Sequence, residues 1–200
     1  VRRKYSPNYA SLGENMQVIS TAELSEIITC FVAKSSEGGK RAQAIVAGLL
    51  DLLAGNDRVL SGRINDPDRH LPGDVGIRKK KNPDLWEKVF EVRDKSVSKE
   101  DVYLFIQKAI ENNIQEAAII CTHSSQTKLN MSEISTWAKK KGTSITFFLG
   151  WDAFIEQIAF WSEKPQIDGL KEVPKLVYTR LIEIEASEET VNTWVNLFRV

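Results

Sequence analysis

Leu71–Lys95 reads LPGDVGIRKKKNPDLWEKVFEVRDK. Asp74 opens a short apolar run, Val75 to Arg78, which is a strand candidate. Lys80 to Asp84, with Pro83, has the composition of a polar turn. Trp86 to Arg93 is rich in aromatic and branched residues and predicts a second strand. Alternate residues of a strand face the same side. Glu91, Arg93 and Lys95 therefore share one face if the strand runs regularly through Lys95, and Phe90, Val92 and Asp94 take the other. Two acids and a cation then stand on neighbouring strands, and the remaining elements are expected to be arranged around them.

Upstream, residues 1–20 carry Arg2, Arg3, Lys4, Tyr5 and Tyr9 with weak periodicity and read as an N-terminal arm. Thr21 is a plausible cap for a helix with apolar residues at Leu24, Ile27, Ile28 and Phe31. Gly38-Gly39 interrupts the chain. Lys40 to Leu53 predicts a second helix, apolar at Ala42, Ile45, Val46, Leu49, Leu50 and Leu53, and ended by Gly55 and Asn56. Val59 to Gly73 holds Gly62, Pro67 and Pro72 and reads as loop. Downstream, Ser98 caps a helix with Glu100 and Asp101 in its first turn, where carboxylates suit the helix dipole. Ala117–Cys121 and Ile145–Leu149 are continuous apolar runs, as expected of strands covered on both faces. Helices are predicted over 132–141, 151–161 and 188–198, while Pro165, Gly169 and Pro174 leave 162–182 ambiguous. The pattern is α/β, with a central mixed β-sheet flanked by helices. We expect one domain over 1–200, with a core at 40–150 and a C-terminal helical extension at 151–200.

The chain has 200 residues, enough for a well-buried core. Lys plus Arg and Asp plus Glu each total 27, which excludes a protein that binds nucleic acid through bulk charge alone. A basic cleft with an acidic back remains compatible with that balance. Arg78-Lys79-Lys80-Lys81 and Lys139-Lys140-Lys141 are local basic runs, read as solvated turns or helix ends. No apolar run approaches the roughly 20 residues of a membrane helix. No leader pattern is evident, and Cys30 and Cys121 both lie in apolar runs as expected of buried reduced thiols, so cytoplasmic placement is expected. His70 and His123 lack partners at zinc spacing. Ser124-Ser125 lacks a nucleophile-elbow context, and no phosphate-cradling glycine pattern is present. Trp151 is read as core.

Carboxylates are the ligands a hard ion such as Mg²⁺ takes, usually one or two together with water and phosphate. On that basis Asp74 and Glu91 are candidate metal ligands, and a nearby cation would stabilise charge at phosphorus. The plain alternative is that Asp74 caps a turn and Glu91 pairs with Arg93 or Lys95 on a solvated strand face.

The stretch also resembles the PD-(D/E)xK nuclease signature. More narrowly, KRAQAIVAGLLDLL, SGRINDPDRHLPGDVGI and FEVRDK in this order resemble the SacI family of type II restriction endonucleases, over roughly residues 40–122. The resemblance implies a restriction-endonuclease-like core and hydrolysis of phosphodiester bonds in double-stranded DNA at specific sequences. It also implies Mg²⁺ as cofactor, with Mn²⁺ as a substitute, and a homodimer as the working form. Asp74 and Glu91 match its two metal ligands. One departure is visible: the position two after Glu91 is Arg93 rather than lysine. Either Arg93 or Lys95 then fills the catalytic-cation role. Arginine stays charged and is a poor proton acceptor, so electrostatic stabilisation is expected of Arg93. Asp66 is the rival first ligand. Gln107, on the helix after the Glu91 strand, is either a support of the site or an exposed polar residue. Arg41, Gln43, Arg63, Asn65 and Arg69 are candidate supports or DNA contacts. The alternatives are a repair or modification-dependent nuclease of the same fold, and a DNA-binding or interaction module that keeps the fold without cleaving.

Overall fold

The computed structural model describes residues 19–62, 71–123 and 128–198. The first helix, α1 (Thr21–Lys34), is capped by Ser20 rather than Thr21. The Ser20 hydroxyl accepts from the Glu23 N–H and the Glu23 carboxylate accepts from the Ser20 N–H, a reciprocal capping box. After a short 3₁₀ turn comes α2 (Lys40–Ala54), almost wholly buried. The chain then forms five strands, β1 (Val59–Ser61), β2 (Val75–Lys79), β3 (Asn82–Arg93), β4 (Glu116–Cys121) and β5 (Ser144–Leu149), paired in sequence order. The first three run antiparallel, and β3, β4 and β5 are parallel. Parallel neighbours need a crossover, supplied by α3 (Lys99–Glu111) and α4 (Met131–Lys140). Three more helices follow: α5 (Asp152–Trp161), α6 (Gln166–Glu183) and α7 (Glu188–Asn196). The architecture is α/β, over the described residues a five-stranded mixed sheet flanked by seven helices.

Each face of the sheet has its own core. Val75, Ile77, Phe90, Ala118, Ile120 and Phe148 join α1, α2, α5, α6 and α7 on one side. Val89, Ala117, Ile119, Cys121 and Ile145 meet α3 and α4 on the other. Burial of both faces is why β4 reads as an unbroken apolar run. The larger core is drawn tight where α2 crosses α6. A Cβ on Gly48 would stand 2.7 Å from Val177 Cγ2 and 2.8 Å from its backbone nitrogen, so only glycine permits that approach.

Four differences from the sequence reading have physical causes. Val59–Ser61 is a strand, not loop, because it completes the edge beside Val75–Ile77. The strand expected from Trp86 begins at Asn82, since the chain pairs Lys79↔Asn82 around Lys80-Lys81 and then bulges. The ambiguous 162–182 region is mostly α6, with Pro174 inside it; the Trp194 indole N–H donates to the Pro174 carbonyl at 2.9 Å. Cys30 is exposed rather than buried, lying on the outward side of α1, whereas Cys121 is buried. Trp151 is in the core. No helix among the described residues is long and apolar enough to cross a membrane.

Candidate active site

The site is assembled where β2 begins and β3 ends. The register pairs Val75 with Phe90, so the next position outward sets Asp74 against Glu91. Gly73 makes the approach possible: a Cβ there would meet the Phe90 carbonyl and Val89 Cγ2, each at 2.7 Å. Asp74 is then held on several sides. Its N–H donates to the Phe90 carbonyl at 2.9 Å, and its carbonyl accepts from the Gly62 N–H at 3.2 Å. The Gln43 side-chain amide donates to the same Asp74 carbonyl at 3.1 Å and to the Gly62 carbonyl at 2.5 Å. Asp74 Oδ2 accepts from the Val92 N–H at 2.9 Å. That bond puts the carboxylate against the peptide that joins Glu91 to Val92.

Along β3, Phe90 and Val92 turn toward the larger core. By alternation Glu91 and Arg93 face the α3 side. They meet there, with Arg93 Nη2 2.5 Å from Glu91 Oε1. The Glu91 side chain is 15% exposed and that of Arg93 41%. Arg93 Nε is buried and has no hydrogen-bond partner among the described residues, a donor whose desolvation costs about 1–3 kcal/mol unless something accepts from it. The strand ends at Arg93, whose carbonyl accepts from the Thr122 N–H at 2.9 Å. Lys95 lies two residues beyond the end and is exposed.

The Arg93 charge is felt by its neighbours. Hydrogen bonds from Ser98, side chain first and then backbone, hold the Asp101 carboxyl below the usual carboxylate range, and Arg93 adds to the effect. Burial pushes the Cys121 thiol up to about 11, with Arg93 pulling back. The thiol next to the site is therefore protonated and inert at neutral pH.

The other candidates divide sharply. Arg63, Asn65, Asp66 and Arg69 lie outside the described residues, as does His70. Arg41, a candidate support or DNA contact or else a solvated residue, is a buried brace, 2% exposed. Its Nε and Nη2 donate to Thr190 Oγ1 at 3.0 and 2.9 Å, and Nη1 donates to the Phe31 carbonyl at 2.8 Å. Gln43 is equally buried and touches no solvent-facing surface, so it supports Asp74 from behind. Gln107 is exposed and bonded to Glu111 on its own helix, the plain reading of that residue. Gly73 and Thr122 were missed. The Pro-Gly-Asp order was the available signal for Gly73, whereas nothing local marks Thr122.

The donor set at Asp74 and Glu91 is oxygen only, which fits a hard divalent ion that takes one or two protein carboxylates. Among the described residues no group of three or more His, Cys, Asp or Glu side chains is placed to hold a metal.

Residues 15–123 match the family described as SacI restriction endonuclease C-terminal domain. The chain is also 31% identical over 170 residues to the type II restriction enzyme SacI of Streptomyces achromogenes. That alignment covers 84% of this chain and 46% of the enzyme's length, so the chain spans less than half of its relative. The family match includes β1 to β4 and every residue of the site described above.

Proposed function

Since the chain belongs to the SacI restriction endonuclease C-terminal domain family, we propose that it is a divalent-metal-dependent endonuclease that hydrolyses phosphodiester bonds in double-stranded DNA at a specific sequence. The observation that carries this reading is the Asp74 carboxylate seated on the Val92 N–H, between Glu91 and Arg93. Asp74 and Glu91 would hold the ion, Mg²⁺ or in its place Mn²⁺. Such an ion supplies Lewis-acid stabilisation of charge at phosphorus and a more acidic water.

The chain's own residues do the rest. Gln43, Gly62 and Phe90 fix the Asp74 backbone, so its carboxylate needs little reorganisation. Arg93 is held by Glu91 and the strand end. It acts by binding charge that develops on the phosphate, not by taking a proton. The unmatched Arg93 Nε supplies a further donor to an oxygen acceptor. Lys95 adds a phosphate contact from its exposed position. Residues 40–150 form the catalytic core in this reading. The working assembly is a homodimer on a twofold-symmetric site, acting in the cytoplasm.

Digestion of a plasmid of known sequence with Mg²⁺, with the ends mapped, tests the activity and gives the site. Asp74→Ala and Glu91→Ala should each abolish cleavage while binding in Ca²⁺ stays measurable. Full activity in both variants would show that other carboxylates do the work. Binding without any Mg²⁺-dependent cutting by the wild type would favour a non-cleaving module, a reading to which the tight Arg93–Glu91 pair also lends itself.

A further inference from the structure

The basic run Arg78–Lys81 is not a turn lying on the surface. β4 begins pairing with β3 only at Lys88↔Glu116, and β1 pairs with β2 only as far as Val59↔Ile77. Beyond those points the β2–β3 hairpin stands clear of the sheet, and every residue from 79 to 85 is exposed. The projection is nevertheless stiff. The Arg78 guanidinium lies 3.6 Å over the Trp86 ring and donates to the Asp84 carbonyl at 2.9 Å. Trp86 in turn covers Gly76, where a Cβ would stand 2.5 Å from the ring. At the base Arg58 donates to Glu87 Oε2 at 2.6 Å and to the Arg78 carbonyl at 3.0 Å.

Lys79, Lys80 and Lys81 have no ion-pair partner among the described residues, and Glu87 is committed to Arg58. Lys79 and Lys80 also line a groove of about 830 Å³ whose far wall is α6, with Lys175 and Thr179 beside the acids Glu172 and Glu183, so the lysines' free side for a polyanion is the outward one. Three adjacent lysines on a rigid tip repel one another and are relieved by a dense line of negative charge. Duplex DNA carries one charge per roughly 1.7 Å of axis. Five residue steps of β2 separate Asp74 from Lys79, about 17 Å at roughly 3.3 Å per residue. A duplex lying along β2 would pass at most about five base pairs over that length, at 3.4 Å each, the register shifts after Ile77 and Arg78 shortening it.

Resting on the nuclease reading, we propose that the tip of the β2–β3 hairpin binds the phosphate backbone of the DNA substrate at most about five base pairs from the bond that is cut, adding affinity without sequence preference. The test is the salt dependence of binding to a long duplex of random sequence, by fluorescence anisotropy at fixed Ca²⁺. A Lys79→Gln/Lys80→Gln/Lys81→Gln variant should show a log–log slope shallower by about two to three, since each phosphate contact contributes roughly 0.9. Its affinity at low salt should fall at least about tenfold, and its single-turnover cleavage in Mg²⁺ at saturating protein should match the wild type. The corresponding triple arginine variant should restore the slope. An unchanged slope and affinity in a variant that still cuts would overturn the hairpin's role and leave the nuclease reading intact. A wild type that neither binds nor cuts duplex DNA would overturn both.

Discussion

Arg93 occupies the position where its family resemblance leads one to expect lysine, and the structure separates the two cations that compete for the role. Arg93 is the last residue of β3, tied by its carbonyl to Thr122 and by its guanidinium to Glu91. Lys95 follows the strand, exposed, with no ion-pair partner among the described residues. A fixed group is worth more in a transition state than a mobile one, because its ordering has already been completed in the fold. Lys95 can reach a phosphate from its exposed position, but nothing among the described residues holds it at one place there. Arg93→Ala should therefore reduce single-turnover cleavage by several orders of magnitude, and Arg93→Lys should retain part of it. Lys95→Ala should weaken DNA binding and flatten its salt dependence more than it slows the chemical step. The reverse ranking, with Lys95→Ala dead and Arg93→Ala nearly normal, would place the catalytic cation two residues further along.

At the scale of elements, the N-terminus of α3 links fold stability to the site. The Ser98 hydroxyl accepts from the Asp101 N–H, and the Asp101 carboxylate accepts from the Ser98 N–H and hydroxyl. These bonds and the Arg93 charge lower the Asp101 pKa on folding. A depressed folded value means stability that is present above the unfolded carboxylate pKa of about 4 and is lost as pH falls through the folded one. Asp101→Asn should therefore lower the melting temperature at neutral pH and shrink the gap to wild type progressively below about pH 4. A gap that stays constant down the acid limb would refute the linkage. This cap was legible in the sequence, as were β2, most of β3, β4 and β5, because each signal is local: a Ser-x-x-Asp spacing, or a run of apolar residues. The Asp74–Glu91 pairing was legible only through the order of motifs. Local pattern could not supply β1, three residues long and defined by its neighbour, or α6, where Pro174 and Gly169 signal a break that tertiary packing overrides. Nor could it show that Arg41 and Gln43, charged and polar at a helix start, are buried.

At the scale of the whole molecule, α2 and α6 share a buried ion pair that sequence inspection passes over. Arg180 on α6 makes a bidentate bond to Asp51 on α2, Nε to Oδ2 at 2.7 Å and Nη2 to Oδ1. The same Nη2 donates to the Val59 carbonyl of β1 at 3.0 Å. One guanidinium thus ties two helices to the edge strand, with both partners almost fully enclosed. Burial pushes the Asp51 carboxyl up, and the bonds from Arg180 pull it back. For Arg180, burial opposes the charge and Asp51 restores it. Asp51 thus offsets the cost of burying the Arg180 charge, and Glu183, which accepts from Arg180 Nη1 at 2.7 Å, adds to that. Removing Arg180 leaves the buried Asp51 without its partner, and removing Asp51 leaves Arg180 with Glu183 alone; breaking a buried pair in this way costs about 3–5 kcal/mol. Arg180→Met and Asp51→Leu should each lower the free energy of urea unfolding by that order, seen as a fall in the midpoint. The double variant should regain much of the loss, because a well-packed apolar pair can replace a buried ion pair. Recovery should stop short of wild type, since the Val59 carbonyl loses its donor at a cost of about 1–3 kcal/mol. A double-mutant cycle on urea unfolding would read the coupling directly. Simple additivity of the two single losses would mean that Asp51 and Arg180 act independently.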